Sequence, residues 1–173
     1  MRKLLIVVDM QNDFTYGALR NEEAILIIPA VRKKIKDFDG DVIYTLDTHP
    51  PDYLNTQEGM KLPVVHCVKG TNGHELVDEL KDLSDSALVL EKDTFGSVRL
   101  GEILRKNHAS EPYCEITLIG ICTDICVISN AMIVKASLPE VSVKVDSSCC
   151  AGVTPTSHNV ALEAMKACQI EII

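Results

Sequence analysis

The sequence predicts a three-layer α/β/α fold around a mainly parallel sheet of about six strands. Three observations predict it. Short runs rich in Val, Ile and Leu alternate with longer stretches of helical spacing from Lys3 to Ile173. The short runs are apolar at successive rather than alternate positions, as strands covered on both faces require. Chargeable or thiol side chains stand at the ends of these runs, where an open parallel sheet binds its ligands.

Lys3–Val8 reads as the first strand. In Glu23–Lys36, Ile27, Ile28, Val31 and Ile35 fall near helical spacing and the charges Arg32, Lys33, Lys34 and Lys36 lie mostly off that face, although Pro29 leaves the helix start open. Gly40 announces a second strand, Asp41–Leu46. The stretch Asp47–Asn72 is irregular and rich in Pro, Asp, His and Gly, and a loop of that length in a compact domain is usually functional. Gly73–Leu80 reads as a short helix, Ala87–Leu90 as a third strand and Val98–Lys106 as a helix. Glu115–Ile119 is the fourth strand, Asp124–Ala136 a helix, Val141–Val145 the fifth strand, Thr156–Ala167 a helix and Ile170–Ile173 a last strand, placed at a sheet edge. With 173 residues, 46% of them apolar, and no linker or repeat, the chain is expected to form a single domain over 1–173.

A net charge of −8 argues against nucleic acid or an anionic membrane as partner. No apolar run approaches the roughly 18 residues that span a bilayer. Met1-Arg-Lys before Leu4–Val8 imitates a signal peptide, but the run is short and Asp9 ends it, so a cytoplasmic protein is expected. Seven cysteines without a secretion signal are expected to be reduced and, like Cys114 and Cys168, mostly to serve as small core residues. His74, His108 and His158 stand without potential partner ligands and read as surface histidines.

Asp9 ends the first strand, Asp47 and His49 the second, Lys92 the third, and Asp146 the fifth, while Cys126 follows the fourth. These ends look like one converging site. Cys126 begins a helical pattern after Gly120, so the helix dipole is expected to favour its thiolate. Asp9 would accept the thiol proton, and Lys92 would stabilise the thiolate and hold the carboxylate. Taken singly, Asp9 reads equally as a turn cap and Lys92 as a surface charge. Asp47, His49 and His66 offer one carboxylate and two imidazoles from one loop, a set suited to one divalent ion, zinc first, with iron or manganese as alternatives. Cys67, beside His66, is expected to pack or point away. Phe14 and Phe95 lie within a few residues of Asp9 and Lys92 and would line an apolar slot.

Val7-Val-Asp9-Met-Gln-Asn-Asp-Phe14, Asp47-Thr-His49-Pro, His66-Cys-Val-Lys-Gly-Thr71, Lys92-Asp-Thr-Phe95-Gly, Gly120-Ile-Cys-Thr-Asp-Ile-Cys126-Val and Asp146-Ser-Ser occur in this order. Together they resemble the nicotinamidase/isochorismatase-like cysteine hydrolase superfamily, over most of the chain. The resemblance implies a Rossmann-like fold and a triad of Asp9, Lys92 and Cys126. It implies an oxyanion hole from the backbone amides of Cys122 and Cys126, and a non-proline cis peptide before Cys122. It implies metal ligands at Asp47, His49 and His66; Tyr53 stands where many members carry a further His, and Glu58 matches the Glu that some nicotinamidases use. Leu62-Pro63 replaces a common Trp-Pro, so Leu62 would form a substrate wall. The metal would orient and polarise the ring nitrogen of a heteroaromatic substrate. The implied activity is hydrolysis of nicotinamide to nicotinate and ammonia, and of pyrazinamide, through a thioester, within pyridine nucleotide salvage and in a homo-oligomer. A related cysteine hydrolase of another small amide, ureido or carbamoyl compound is the alternative. A redox role for Cys122 and Cys126 leaves Asp9, Lys92 and the metal set unexplained.

Overall fold

The computed structural model describes residues 2–173. Six strands form one parallel sheet: β1 (Arg2–Val8), β2 (Asp41–Asp47), β3 (Leu88–Lys92), β4 (Tyr113–Ile121), β5 (Ser142–Ala151) and β6 (Glu171–Ile172). Their spatial order is β3-β2-β1-β4-β5-β6, with every pairing parallel. The chain winds outward from β1 to β3, returns to β4 on the other side of β1, and winds outward again. The order therefore reverses between β1 and β4, which opens a crevice at their carboxyl ends. Gly120 lets β4 come close there: its φ is +115°, and a Cβ would lie 2.2 Å from the Val8 carbonyl oxygen.

Helices α1 (Asn12–Thr15), α2 (Glu22–Asp37), α3 (Gln57–Lys61), α4 (Asp78–Lys81), α5 (Val98–Ser110), α6 (Ile128–Ser137) and α7 (Pro155–Ala167) fill the connections. On one face of the sheet, Ala24, Ile28, Val31 and Ile35 of α2 pack with Leu5, Val7, Tyr44 and Ile119. On the other, Leu100 and Leu104 of α5, Ala131 and Val134 of α6 and Leu162 and Met165 of α7 pack with Leu4, Ile6, Ile116 and Val143. Side chains of this kind contribute about 1.5–3 kcal/mol each when fully buried. Asn21 caps α2 through the amides of Glu23 and Ala24, Ser97 caps α5, and Thr154 forms a capping box with Ser157 ahead of α7.

Several boundaries differ from expectation for local reasons. Pro29 lies inside α2 without ending it; it sits on the exposed side, where the carbonyl that loses its bond can turn to water. The helix expected over Gly73–Leu80 is split into a 3₁₀ turn at Asn72–His74 and α4, because Leu76 and Val77 are drawn into extended pairing with Gln11 and Met10. The helix expected from Asp124 begins as a π-helical turn, Thr123–Val127, in which the Cys122 carbonyl accepts from both Ile125 and Val127. The fifth strand does not end at Val145. It bulges and continues to Ala151, so Asp146 lies within the bulge, bonded at 2.7 Å to Lys34 of α2, and is not part of the converging site. The last strand lies at the sheet edge as expected.

The irregular connection contains a 3₁₀ turn at Tyr53–Asn55 and then α3. Its two ends meet in a parallel bridge between His49 and Val68, so the loop is closed at its base.

Candidate active site

The crevice between β1 and β4 receives Asp9, Lys92 and Cys126, all buried. Asp9 leaves β1 with φ +49°, which turns its side chain back across the sheet end; Oδ1 accepts from the Thr45 hydroxyl at 2.6 Å and Oδ2 lies 2.6 Å from Lys92 Nζ. Lys92, at the last position of β3, also lies 3.6 Å from Cys126 Sγ and 3.3 Å from Asp47 Oδ1. Burial acts to lower the Lys92 pKa, but the charges of Asp9 and Asp47 and the bond to Asp9 outweigh it and hold the ammonium charged. Burial pushes Asp9 above the ordinary carboxylate range, against the pull of Lys92.

Cys126 departs from expectation in its protonation. Burial first, and then the Asp9 carboxylate as charge and hydrogen-bond partner, push its thiol well above an ordinary cysteine; Lys92 opposes this but does not overcome it. The dipole of a π-helical turn does not yield a resting thiolate here. Burial likewise pushes Cys122 up to about 12. Neither thiol has the lowered pKa of a redox cysteine. The peptide bond Ile121–Cys122 is cis.

Asp47, His49 and His66 converge beside the triad, their ligand atoms all within 4.8 Å of one another. Asp47 Oδ2 is 3.0 Å from His49 Nε2 and 3.5 Å from His66 Nε2, and Glu58 Oε1 is 3.7 Å and 3.9 Å from the same nitrogens. His66 Nδ1 lies 2.7 Å from the Val64 carbonyl, to which it donates, and this fixes the ring with Nε2 facing the cluster. His49 Nε2 is buried without a directed hydrogen bond. Burial and the nearby Asp47 charge raise the Glu58 pKa. Two crowded carboxylates and two imidazole nitrogens facing one another fit a shared divalent cation. Tyr53 is fully buried with its ring 4.6 Å from that of His49 and 5.0 Å from that of His66, and its hydroxyl donates to the Leu62 carbonyl. It packs the histidine pair in place.

A cleft of about 760 Å³ joins the two clusters; Phe14, Leu62, Phe95, Cys122, Ile125 and Val153 supply much of its wall, and Asp47, Glu58, His66 and Cys126 open onto it. Phe14 meets His66 edge-on at 5.7 Å. Outside the cleft, His74 is not the surface residue expected, and His108 and His158 are only partly exposed. His74 is buried with Nε2 2.9 Å from the Thr48 hydroxyl, and His158 and His108 are half-buried, paired with the Thr123 hydroxyl and the Tyr113 amide. Cys67 is buried, whereas Cys168 is exposed rather than a core residue.

Three side chains that the sequence left without a role brace this site. Gln11, fully buried, donates to the carbonyls of Asp47 and His74 and accepts from the Asp47 amide. Asp13 accepts from the amides of Cys67 and Ala18. Asn130 joins the Cys126 and Phe95 carbonyls to the Ser97 amide. A lone amide within the apolar run of α6 was the available signal for Asn130; Gln11 and Asp13 stood in a quoted motif.

The isochorismatase domain model matches residues 3–173. The chain belongs to the isochorismatase family. Among the relatives of this isochorismatase-family chain, a family protein, PncA, from Bacillus subtilis is 31% identical, with 76% of this chain and 78% of the relative covered. A nicotinamidase of Saccharomyces cerevisiae is 26% identical, with 99% of each covered. The crystal structure of the pyrazinamidase of Pyrococcus horikoshii in complex with zinc superposes with a TM-score of 0.83 at 29% identity, covering 100% of this chain and 99% of the other.

Proposed function

We propose that this chain is a metal-dependent cysteine amidohydrolase that converts nicotinamide to nicotinate and ammonia and hydrolyses pyrazinamide in the same way. One observation carries the reading: a buried cysteine with an acid and an ammonium at its side opens onto the same apolar cleft as an Asp-His-His cluster. Relatives that act as a nicotinamidase and a zinc-bound pyrazinamidase support it.

In this mechanism Cys126 Sγ bonds to the carboxamide carbon as its proton passes to Asp9. The thiol is protonated at rest, so the proton is removed during attack rather than beforehand. The charge that develops on the carbonyl oxygen is met by the backbone amides of Cys122 and Cys126. Asp9 returns the proton to the leaving nitrogen, the C–N bond breaks, and ammonia departs. Asp9 then takes a proton from water as the water oxygen bonds to the thioester carbon. The C–S bond breaks, the acid leaves, and the proton returns to sulfur. Lys92 keeps Asp9 in place and offsets the negative charge that the pair shares throughout. Phe14, Leu62 and Phe95 hold a flat ring between them.

Asp47, His49, His66 and Glu58 would hold the metal, zinc first. When bound, the ion supplies a Lewis acid that orients and polarises the ring nitrogen of the substrate. All seven cysteines are free, which suits a reducing compartment such as the cytoplasm, where the reaction would serve pyridine nucleotide salvage.

Ammonia release from nicotinamide, pyrazinamide and small carbamoyl amides tests the reading. Nicotinamide turnover is expected, falling by about 10³-fold or more in Cys126→Ala. Turnover confined to carbamoyl compounds would replace the substrate class; turnover unaffected by Cys126→Ala would remove the nucleophile.

A further inference from the structure

We propose that Asp13 is a positioning residue for the metal centre, holding the two histidine arms together through the backbone of Cys67. The inference rests on the metal set proposed above. Cys67 follows His66 directly and has φ +46°, a conformation that side-chain-bearing residues seldom adopt. Both of its peptide groups are tied. Its amide donates to Asp13 Oδ2 at 2.7 Å, and its carbonyl accepts from the His49 amide at 2.9 Å. The chain of contacts therefore runs from the Asp13 carboxylate to Cys67, and from Cys67 by covalent linkage to His66 and by hydrogen bond to His49. The Asp13–Cys67 link is charge-assisted, the stronger kind of hydrogen bond.

Asp13 is itself fixed on every side. Its other oxygen accepts from the Ala18 amide at 3.1 Å, and its own carbonyl accepts from Leu19 at 2.8 Å. Gly73 packs against the carboxylate so closely that a Cβ there would lie 2.0 Å from Oδ2. The neighbouring Phe14 rests edge-on against the His66 ring, so the short α1 touches the His66 arm through two successive side chains. Without the carboxylate, the Cys67 amide loses its partner, and the left-handed turn that aims His66 loses the contact that favours it.

The test is a zinc titration of the full chain, stripped with a chelator and read by competition with a zinc indicator, alongside thermal unfolding of the zinc-free protein. Asp13→Ala is expected to weaken zinc binding by about 10- to 100-fold, the usual effect of removing a group that orients a ligand. Gly73→Ala, which leaves Asp13 in the sequence but displaces its carboxylate, is expected to weaken zinc in the same direction, and it decides the matter if Asp13→Ala does not fold. The double variant should bind no more weakly than Asp13→Ala; additive losses would mean separate routes and overturn the proposal. A merely structural role would lower the unfolding temperature of the zinc-free chain and leave the zinc affinity of the folded chain unchanged. Wild-type affinity in the Asp13 and Gly73 variants, beside binding lost in His66→Ala, overturns the role of Asp13 alone. Absence of zinc binding by the wild type, or wild-type binding by His66→Ala, overturns the metal set and this inference with it.

Discussion

Burial raises the proton affinity of both Asp9 and Cys126, and the Asp9 carboxylate raises that of Cys126 further, which governs how the site responds to pH. Asp9 must be ionised to accept a proton, and burial raises its pKa, so activity should begin at a higher pH than a free carboxylate at about 3.9 would allow. The acid limb of kcat/KM is expected above that value, and no alkaline loss from thiol ionisation is expected near neutrality, because Cys126 is raised as well. Asp9→Asn should lower kcat/KM by about 10²- to 10⁴-fold across the profile. A limb that stays at the position of a free carboxylate would remove Asp9 as the base. The three groups were legible in the sequence because strand-end polar residues in a parallel sheet are few and meet by topology. The resting state of the thiol was not. A dipole argument uses only local sequence, whereas the desolvation of Cys126 depends on residues from distant segments.

Among the elements, β5 shows how one bulge reassigns a residue. The motif placed Asp146 at a strand end; the bulge turns it to Lys34 and lets the strand run on. Burial acts to raise the Asp146 pKa, but the bonds from Lys34 and Ser148 outweigh it and lower it. A carboxylate with a lowered folded pKa adds stability that is complete above the unfolded value of about 3.9 and is lost as pH falls through the folded value. Asp146→Asn should therefore cost about 1 kcal/mol in urea unfolding at pH 7, and wild type and variant should converge as the pH drops below about 4. A difference that persists in acid would mean that the pair is not what holds α2 to β5. Helix and strand types were largely legible, because their apolar periodicity is local. The split of Gly73–Leu80 was not, since a segment of that length takes its form from pairing with Gln11 rather than from its own propensity.

At the scale of the molecule, the irregular connection leaves β2 at Asp47 and closes on itself through the His49–Val68 bridge, and together with Asp47 it supplies all four candidate ligands. Metal binding should therefore stabilise the whole chain by linkage. At free zinc 100-fold above Kd the gain is about 2.7 kcal/mol, which should raise Tm by several degrees. Calorimetry with and without zinc checks this, and His49→Ala should abolish the shift; an equal shift in the variant would place the ion elsewhere. The layered architecture could be read in advance. The strand order could not, because the sequence does not say on which side of β1 the fourth strand returns.

Lys92 stands 2.6 Å from Asp9 and 3.3 Å from Asp47, one ammonium shared by the carboxylate proposed to transfer protons and the carboxylate proposed as a ligand. Its consequence is evolutionary. A lineage that gave up the metal could let both histidines drift, but position 47 would stay under selection to balance a buried positive charge, so the acid should outlast the ion it once served.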